Sequence, residues 1–402
     1  MAGFSSPGGA TRSTGSEVGR RQTRQPRQVP LAWRILMHEK GRTALAIAGV
    51  FMAILLIFAE LGFFYAVPEG GMLLYDNMQF DLLMVSNQYE YQVQPGQFAR
   101  SQLERVRTAP QVAEATALYF GAAKWRSGKD GKWPDLFVIG FEPHDRVFKV
   151  ASINNQLGVL EKANTLLVDS GTRPMFGPLS TGRVVEINDQ TETIGGRYDL
   201  GTGFMGLGVI LLSNRNFARL FPHRSLDQVN LGPIQLKKGV EPEQAAAELR
   251  QLVSSDVQIF TRHALEAHEV SYWTTRTSVG LVFGSGLLIS FVVGIMIVYQ
   301  TLTTQVSRQL PQFATLKAIG YANSFLSTTV VTMSMLIVVF GFIPATVGAL
   351  GLYEVIRNET LLPAEMTLPR LGAVLAATLI MASLSGLLSV SGLRRADPVD
   401  LF

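Results

Sequence analysis

The chain has 402 residues, of which 47% are apolar, with a formal net charge of +4 and no cysteine. The missing cysteines exclude disulfides, thiolate zinc sites and cysteine nucleophiles, so a domain outside the cytosol must be held by its core alone. An apolar share of this size is ordinary for a soluble protein; the distinguishing feature is that charge vanishes over four long windows.

Residues 1–29 are rich in Gly, Ser, Thr, Arg and Gln and bury too little apolar surface to fold, so they are expected to be disordered. Arg20-Arg21 lacks an apolar stretch at the distance a twin-arginine export signal needs. From Pro30 to Arg42, Leu31, Trp33, Ile35 and Leu36 alternate with Arg34, His38, Lys40 and Arg42. The pattern fits an amphipathic helix in the inner membrane interface, or an extension of the span that follows. Residues 30–68 thus comprise this leader and a first span from Thr43, too long for a cleaved signal segment. Seventeen residues of helix from Thr43 rise about 25 Å, which puts Glu60 near the far interface, beside the aromatic belt Phe63, Phe64 and Tyr65. Glu60 fits either an interfacial or helix-contact role or a proton relay.

Residues 69–276 are expected to form a soluble α+β domain or two small subdomains. Strand-like runs recur at Phe80–Val85, Glu114–Tyr119, Leu136–Phe141, Leu166–Val168, Val184–Ile187, Val209–Leu212, Gln228–Leu236 and Val257–Phe260. Helical patterns occupy Gln97–Arg107, Asn214–Leu220 and Pro242–Val253. Asn188-Asp189 and Gly195-Gly196 carry turn chemistry. Pro233 implies that the Gln228–Leu236 run is interrupted or lies at a sheet edge. Residues 263–269 lead through Tyr272 and Trp273, expected at the outer interface, as one helix running on into the membrane.

The second span covers residues 277–307 and the third residues 322–353, each longer than the ~20 residues a bilayer core requires. In the second, Gly280 and Gly284 form a GxxxG pattern for close helix packing, either with a second copy of the chain or with a neighbouring span. Pro344 is expected to bend the third. Between them, residues 308–321 carry the only charged interruption. Pro311 suits a helix start and Gly320 the left-handed residue past a helix end. Phe313, Leu316 and Ile319 form an apolar stripe beside Arg308, Gln312 and Lys317. A short amphipathic helix tied to two spans can pass a push from a soluble partner into the membrane. Residues 354–370 are a short return, 371–393 a fourth span and 394–402 a tail. Arginines and lysines before the first span, Arg308, Lys317 and Arg394-Arg395 all fall on one side, which the positive-inside rule makes cytoplasmic. Both termini are then cytoplasmic and the large domain faces outward.

No phosphate-binding loop, nucleophile elbow or zincin motif is present. His263 and His268 are five apart and share no helix face well, and no calcium-loop pattern occurs. No basic stripe interleaved with aromatics points to nucleic acid. The chain is expected to be non-catalytic, without cofactor or metal.

The start Pro30-Leu31-Ala32-Trp33, the run Leu310–Tyr321 and the ending Arg394-Arg395-Ala396-Asp397-Pro398 resemble the DevC family of ABC exporter permeases, within the FtsX/MacB-like superfamily. Val138–Phe141 and Pro174–Pro178 are similar too. The resemblance covers residues 29–402. It implies an α-helical membrane protein of the bacterial inner membrane, with four spans, a large periplasmic α+β domain between the first two, and a homodimer in membrane lipid. Separate ABC ATPase subunits would hold ATP and magnesium, with a periplasmic adaptor and an outer-membrane channel as further partners. Docking on the ATPase is implied for Arg308, Gln312, Phe313, Leu316, Lys317 and Gly320. Gln312 stands where related permeases commonly carry glutamate. The best-known members export glycolipid. The same architecture also serves FtsX-like signal transducers that move nothing and control a partner such as a cell-wall hydrolase.

Overall fold

The computed structural model describes Gly3 and residues 31–38, 40–126, 133–203 and 205–395. The disorder expected over residues 1–29 (Gly3 apart) and the tail from residue 396 on lie outside the described residues.

A short helix α1 (Leu31–His38) precedes α2 (Lys40–Asp76), which continues eight residues past the expected end of the first span at Pro68. The soluble domain then runs through β1 (Leu82–Ser86), β2 (Phe98–Ala99), α3 (Arg100–Arg107), β3 (Val112–Ala115), β4 (Tyr119–Lys124) and β5 (Asp135–Phe141). It continues with α4 (Ala151–Asn154), α5 (Leu157–Leu160), β6 (Thr165–Asp169), β7 (Val184–Ile187), β8 (Gln190–Tyr198), β9 (Val209–Ser213) and α6 (Asn214–Leu220). It closes with β10 (Gln228–Val229), β11 (Leu231–Leu236), α7 (Pro242–Arg250), β12 (Val257–Thr261) and α8 (Arg262–Ser271). A π-helical turn, Tyr272–Arg276, leads to α9 (Ser278–Arg308), α10 (Leu310–Ala318), α11 (Asn323–Thr360) and α12 (Leu368–Arg395). Four of these helices are long and apolar enough to cross a membrane, with the α+β domain between the first and second.

The domain holds an antiparallel sheet in the order β12-β1-β11-β3 and a mixed sheet in the order β4-β5-β9-β6-β8-β7. Two core clusters join them, built from alternate residues of the same strands: one runs from Leu82, Met84 and Phe98 to Trp125, Ile194 and Phe217, the other from Leu83, Val85 and Leu231 to Ile139 and Leu211. The β7–β8 hairpin turns at Asn188 and Asp189, both left-handed (φ 47° and 61°), as their turn chemistry implied. Gly195-Gly196, expected as a turn, lies inside β8. There Leu166 pairs with Ile194 and Leu167 with Gly196, so Gly195 is the extra residue of a bulge. Pro233 also departs from expectation. The run is interrupted at Asn230, but β11 is an interior strand. The Pro233 carbonyl accepts from the Thr116 amide, so its nitrogen faces that same side, just beyond the end of β3. The donor that proline lacks is therefore not missed by the ladder.

Glu192 on β8 is buried with neither carboxylate oxygen paired among the described residues. Burial pushes its pKa from 4.5 to about 7, against the opposing charge of Arg219. The native state then holds a proton that the unfolded chain has released, so stability falls as pH rises from 4.5 to 7 and is level above. Glu192→Gln should remove that slope, raising the thermal midpoint at pH 8 and leaving it unchanged near pH 4.5. A variant whose pH dependence matches the wild type would exclude Glu192 as the cause.

In the membrane region α2 packs on α9 and α11, and α12 on the same two helices, so the spans form a ring α2-α11-α12-α9. Small residues set the contacts: Gly62 lies under the Tyr353 ring, Gly294 against Met381 and Gly341 against Val50. Tyr353 Oη donates to the Phe58 carbonyl at 2.7 Å and Ser385 Oγ to the Ile295 carbonyl at 3.0 Å. Glu60 faces Gly286, which places its carboxylate at a helix contact. Trp33 of α1 packs on Phe340 of α11, with ring centroids 5.7 Å apart.

Candidate functional site

The link between the second and third spans lies at the end of the spans opposite the soluble domain. α9 ends where Gln309 leaves helical geometry (ψ 5°), and α10 begins at once with Pro311 in its first turn. The helix closes with Gly320 at φ 104° and the Tyr321 amide bonded to the Leu316 carbonyl at 3.1 Å. That six-to-one bond and left-handed glycine make a Schellman stop, which turns the chain sharply into α11.

The expected apolar stripe divides here. Phe313 is only 3% exposed and belongs to the core shared by the four spans; Leu316 packs against the same core. Both face the protein's own bundle, so the expectation that Phe313 presents itself to a partner is corrected. Ile319 points the other way, 71% exposed, followed by Tyr321 at 46% and Phe325 at 40%. The Tyr321 and Phe325 rings stand 4.9 Å apart. Around this patch Arg308, Pro311, Gln312 and Thr315 are exposed; the Lys317 side chain lies outside the described residues. Gly320 acts through the backbone. Phe325 was missed in the sequence, where its spacing four residues after Tyr321 was the available signal.

The two glycines of the second span have different surroundings. α8 does not run straight into α9: the π-helical turn ends at Thr277, which is extended (φ −111°, ψ 165°). Thr277 Oγ1 then caps α9 by accepting from the Val279 amide at 3.2 Å. A Cβ on Gly280 would overlap the Thr274 carbonyl, whereas one on Gly284 meets nothing within 4 Å. Gly280 therefore serves the break, and Gly284 faces away from the protomer. Gly280→Ala should lower the thermal midpoint and disturb the outer end of α9; Gly284→Ala should leave the fold unchanged. Equal thermal midpoints for the two variants would contradict this division.

α9 is the least covered span: 17% of its apolar window is buried, against 33–39% for the others. Along its inner half, Met296, Tyr299, Gln300, Thr303, Thr304, Ser307 and Arg308 line an open groove. No group of three or more His, Cys, Asp or Glu side chains that could hold a metal occurs among the described residues.

Four spans, an α+β domain inserted after the first, and an apolar turn on the opposite face define a permease-type membrane component. Residues 43–252 match the family model of the MacB-like periplasmic core domain, and residues 284–398 that of the FtsX-like permease C-terminal region. The chain belongs to the FtsX/MacB-like permease family. Among solved structures it is similar to the periplasmic region of MacB from Actinobacillus actinomycetemcomitans, at 10% identity over 46% of this chain and 91% of that one, with a TM-score of 0.35. It is also similar to the extracellular domain of the noncanonic ABC-type transporter YknZ from Gram-positive bacteria, at 14% identity, 45% and 99% coverage and a TM-score of 0.31. A domain of a putative permease protein from Porphyromonas gingivalis shows 16% identity, 46% and 87% coverage and a TM-score of 0.29. No curated protein matches the chain.

Proposed function

We propose that the chain is the permease subunit of a DevC-type ABC exporter in the bacterial inner membrane, with both termini cytoplasmic and the α+β domain in the periplasm. The observation that carries this reading is the exposed Ile319, Tyr321 and Phe325 surface at the link between two spans. Three large apolar side chains left in water on a membrane protein's soluble face mark a docking site. A separate ATPase, holding ATP and magnesium, docks there, and its closure moves α9 and α11. The chain works as a homodimer. The exposed amide of Gln300 on α9 supports this, because lipid would offer it no hydrogen-bond partner. The periplasmic domains, with an adaptor and an outer-membrane channel, expel cargo; glycolipid is the class the sequence resemblance suggests.

The test is co-purification from native membranes in mild detergent, with mass spectrometry of the partners. An ABC ATPase together with a periplasmic adaptor is expected. An ATPase accompanied by a cell-wall hydrolase instead would assign the chain to signalling, and a folded dimer that captures no ATPase would overturn the docking role.

A further inference from the structure

At the outer end of the spans, α2, the segment 87–97 and α8 meet around one buried carboxylate. Glu269 is fully buried in the last turn of α8, three residues before the π-helical turn begins. Tyr89 Oη donates to its Oε1 atom, and the Tyr75 and Tyr89 hydroxyls lie 2.6 Å apart. Tyr75 comes from α2, Tyr89 from the segment after β1, and Glu269 from the helix leading to the second span. The three therefore join both spans to the soluble domain. Gly71 of α2 leaves the space that the Trp273 indole and the Glu269 carboxylate occupy; a Cβ there would lie 2.8 Å from Trp273 Nε1. Gln92, also buried, has neither side-chain amide atom paired among the described residues. Just beyond lie the two departures from regular helix, the π-helical turn and the extended Thr277.

We propose that Glu269 is a proton-operated latch at this joint: uncharged, it keeps the joint closed as described here; charged, it favours an opening that lets water in. The joint sits where a change of angle between domain and spans must be absorbed, and it buries an ionisable group with incomplete polar compensation. A charged carboxylate in such a place is stabilised by opening. Burial pushes the Glu269 carboxyl up to about 7, although the Tyr89 hydroxyl, the Trp273 indole and the backbone amide of Gln92 oppose the shift. Asp76 of α2 is paired with Arg262, and Glu69 with Arg370. Burial raises the pKa values of Tyr89 and Tyr91, with a smaller contribution from the Glu269 charge. Tyr272 on the turn is raised as well, chiefly by burial, with Arg276 opposing. Glu266 lies one turn earlier on α8, and Glu90 offers its carbonyl to His268 Nε2 at 3.1 Å. The His268 ring stands 5.4 Å from that of Tyr89, so it is the neighbour whose part the experiment must separate from that of Glu269.

The experiment is hydrogen exchange of the full-length chain in lipid vesicles between pH 6 and 8, corrected for intrinsic exchange. With the closed-state value near 7 and an ordinary carboxylate when open, opening of segments 87–97 and 268–277 should rise about tenfold across that range. Glu269→Gln should make both segments flat across the range and more protected than wild type even at pH 6, where an opened carboxylate is already ionised, and His268→Gln should keep the rise. A flat wild-type profile would overturn the latch without reference to any variant. A rise that survives in Glu269→Gln, or disappears only in His268→Gln, would overturn it as well. No ATPase enters the measurement, so its outcome is independent of the permease reading.

Discussion

Ile319→Asp is expected to abolish ATPase capture while leaving the thermal midpoint within about a degree of wild type, since a surface substitution away from packing typically changes stability by less than ~0.5 kcal/mol. Phe313→Asp, only six residues earlier, should do the reverse and cripple the fold itself. Its ring is 3% exposed in the core shared by the spans, and an unpaired carboxylate there adds the cost of a buried charge to the ~3–5 kcal/mol of a lost aromatic. The measurement is co-purification yield set against thermal unfolding in detergent for both variants. A stable Phe313→Asp that fails to bind, or an Ile319→Asp that binds normally, would reverse the assignment of inner and outer faces. Tyr321→Asp should behave as Ile319→Asp does, because it shares the exposed patch.

The second large effect concerns the ion pair at the outer ends of the first and fourth spans. Arg370 is 5% exposed, pairs with Glu69, donates to the Glu365 carbonyl and lies over the Tyr65 ring at 5.2 Å. Glu69 is 46% exposed. Removing the carboxylate strands a buried guanidinium, whereas removing the guanidinium frees a carboxylate that water already reaches. Glu69→Ala should therefore be the more damaging variant, at about 3 kcal/mol. Arg370→Met, which keeps the packing of the stem, should cost less. Thermal unfolding in matched detergent decides the order, and an Arg370→Met loss larger than that of Glu69→Ala would show that the stacking on Tyr65 dominates.

Three spans were legible as windows of more than twenty uncharged residues, which little but a membrane asks for, and the first as the 17-residue run Thr43–Ala59 that resumes past Glu60. Most strands were legible from their β-branched and aromatic runs, but what each strand meets was not. Gly195-Gly196 has the composition of a turn; only its pairing with Leu166 and Leu167 across the sheet shows it to be a bulge. Pro233 lies in an interior strand because β3 ends beside it, a fact held in residues more than a hundred positions away. At the candidate site the apolar stripe was real, yet a nine-residue helix does not say which of its faces meets its own bundle. Ile319 moreover follows the end of α10, where helical spacing no longer sets direction. Gly280 and Gly284 lie on the same continuous helix, but the chain before the break at Thr277 closes over Gly280 and leaves Gly284 open, which their spacing does not reveal. The Tyr75–Tyr89–Glu269 cluster left no sequence signal, since its members are separated by 14 and 180 positions.

The first and second spans continue upward into strands that are neighbours: β1 follows α2, β12 precedes α8, and they pair from Leu82 with Thr261 to Ser86 with Val257. Five consecutive register pairs hold the two legs at one height. A piston stroke of one leg past the other by even a single residue would break that ladder and turn every inward side chain of the strand outward. Under the proposed docking of an ATPase, work delivered at the far end of the spans would therefore reach the domain as torque. The paired strands would be the pivot, with the domain tilting or twisting over the bilayer.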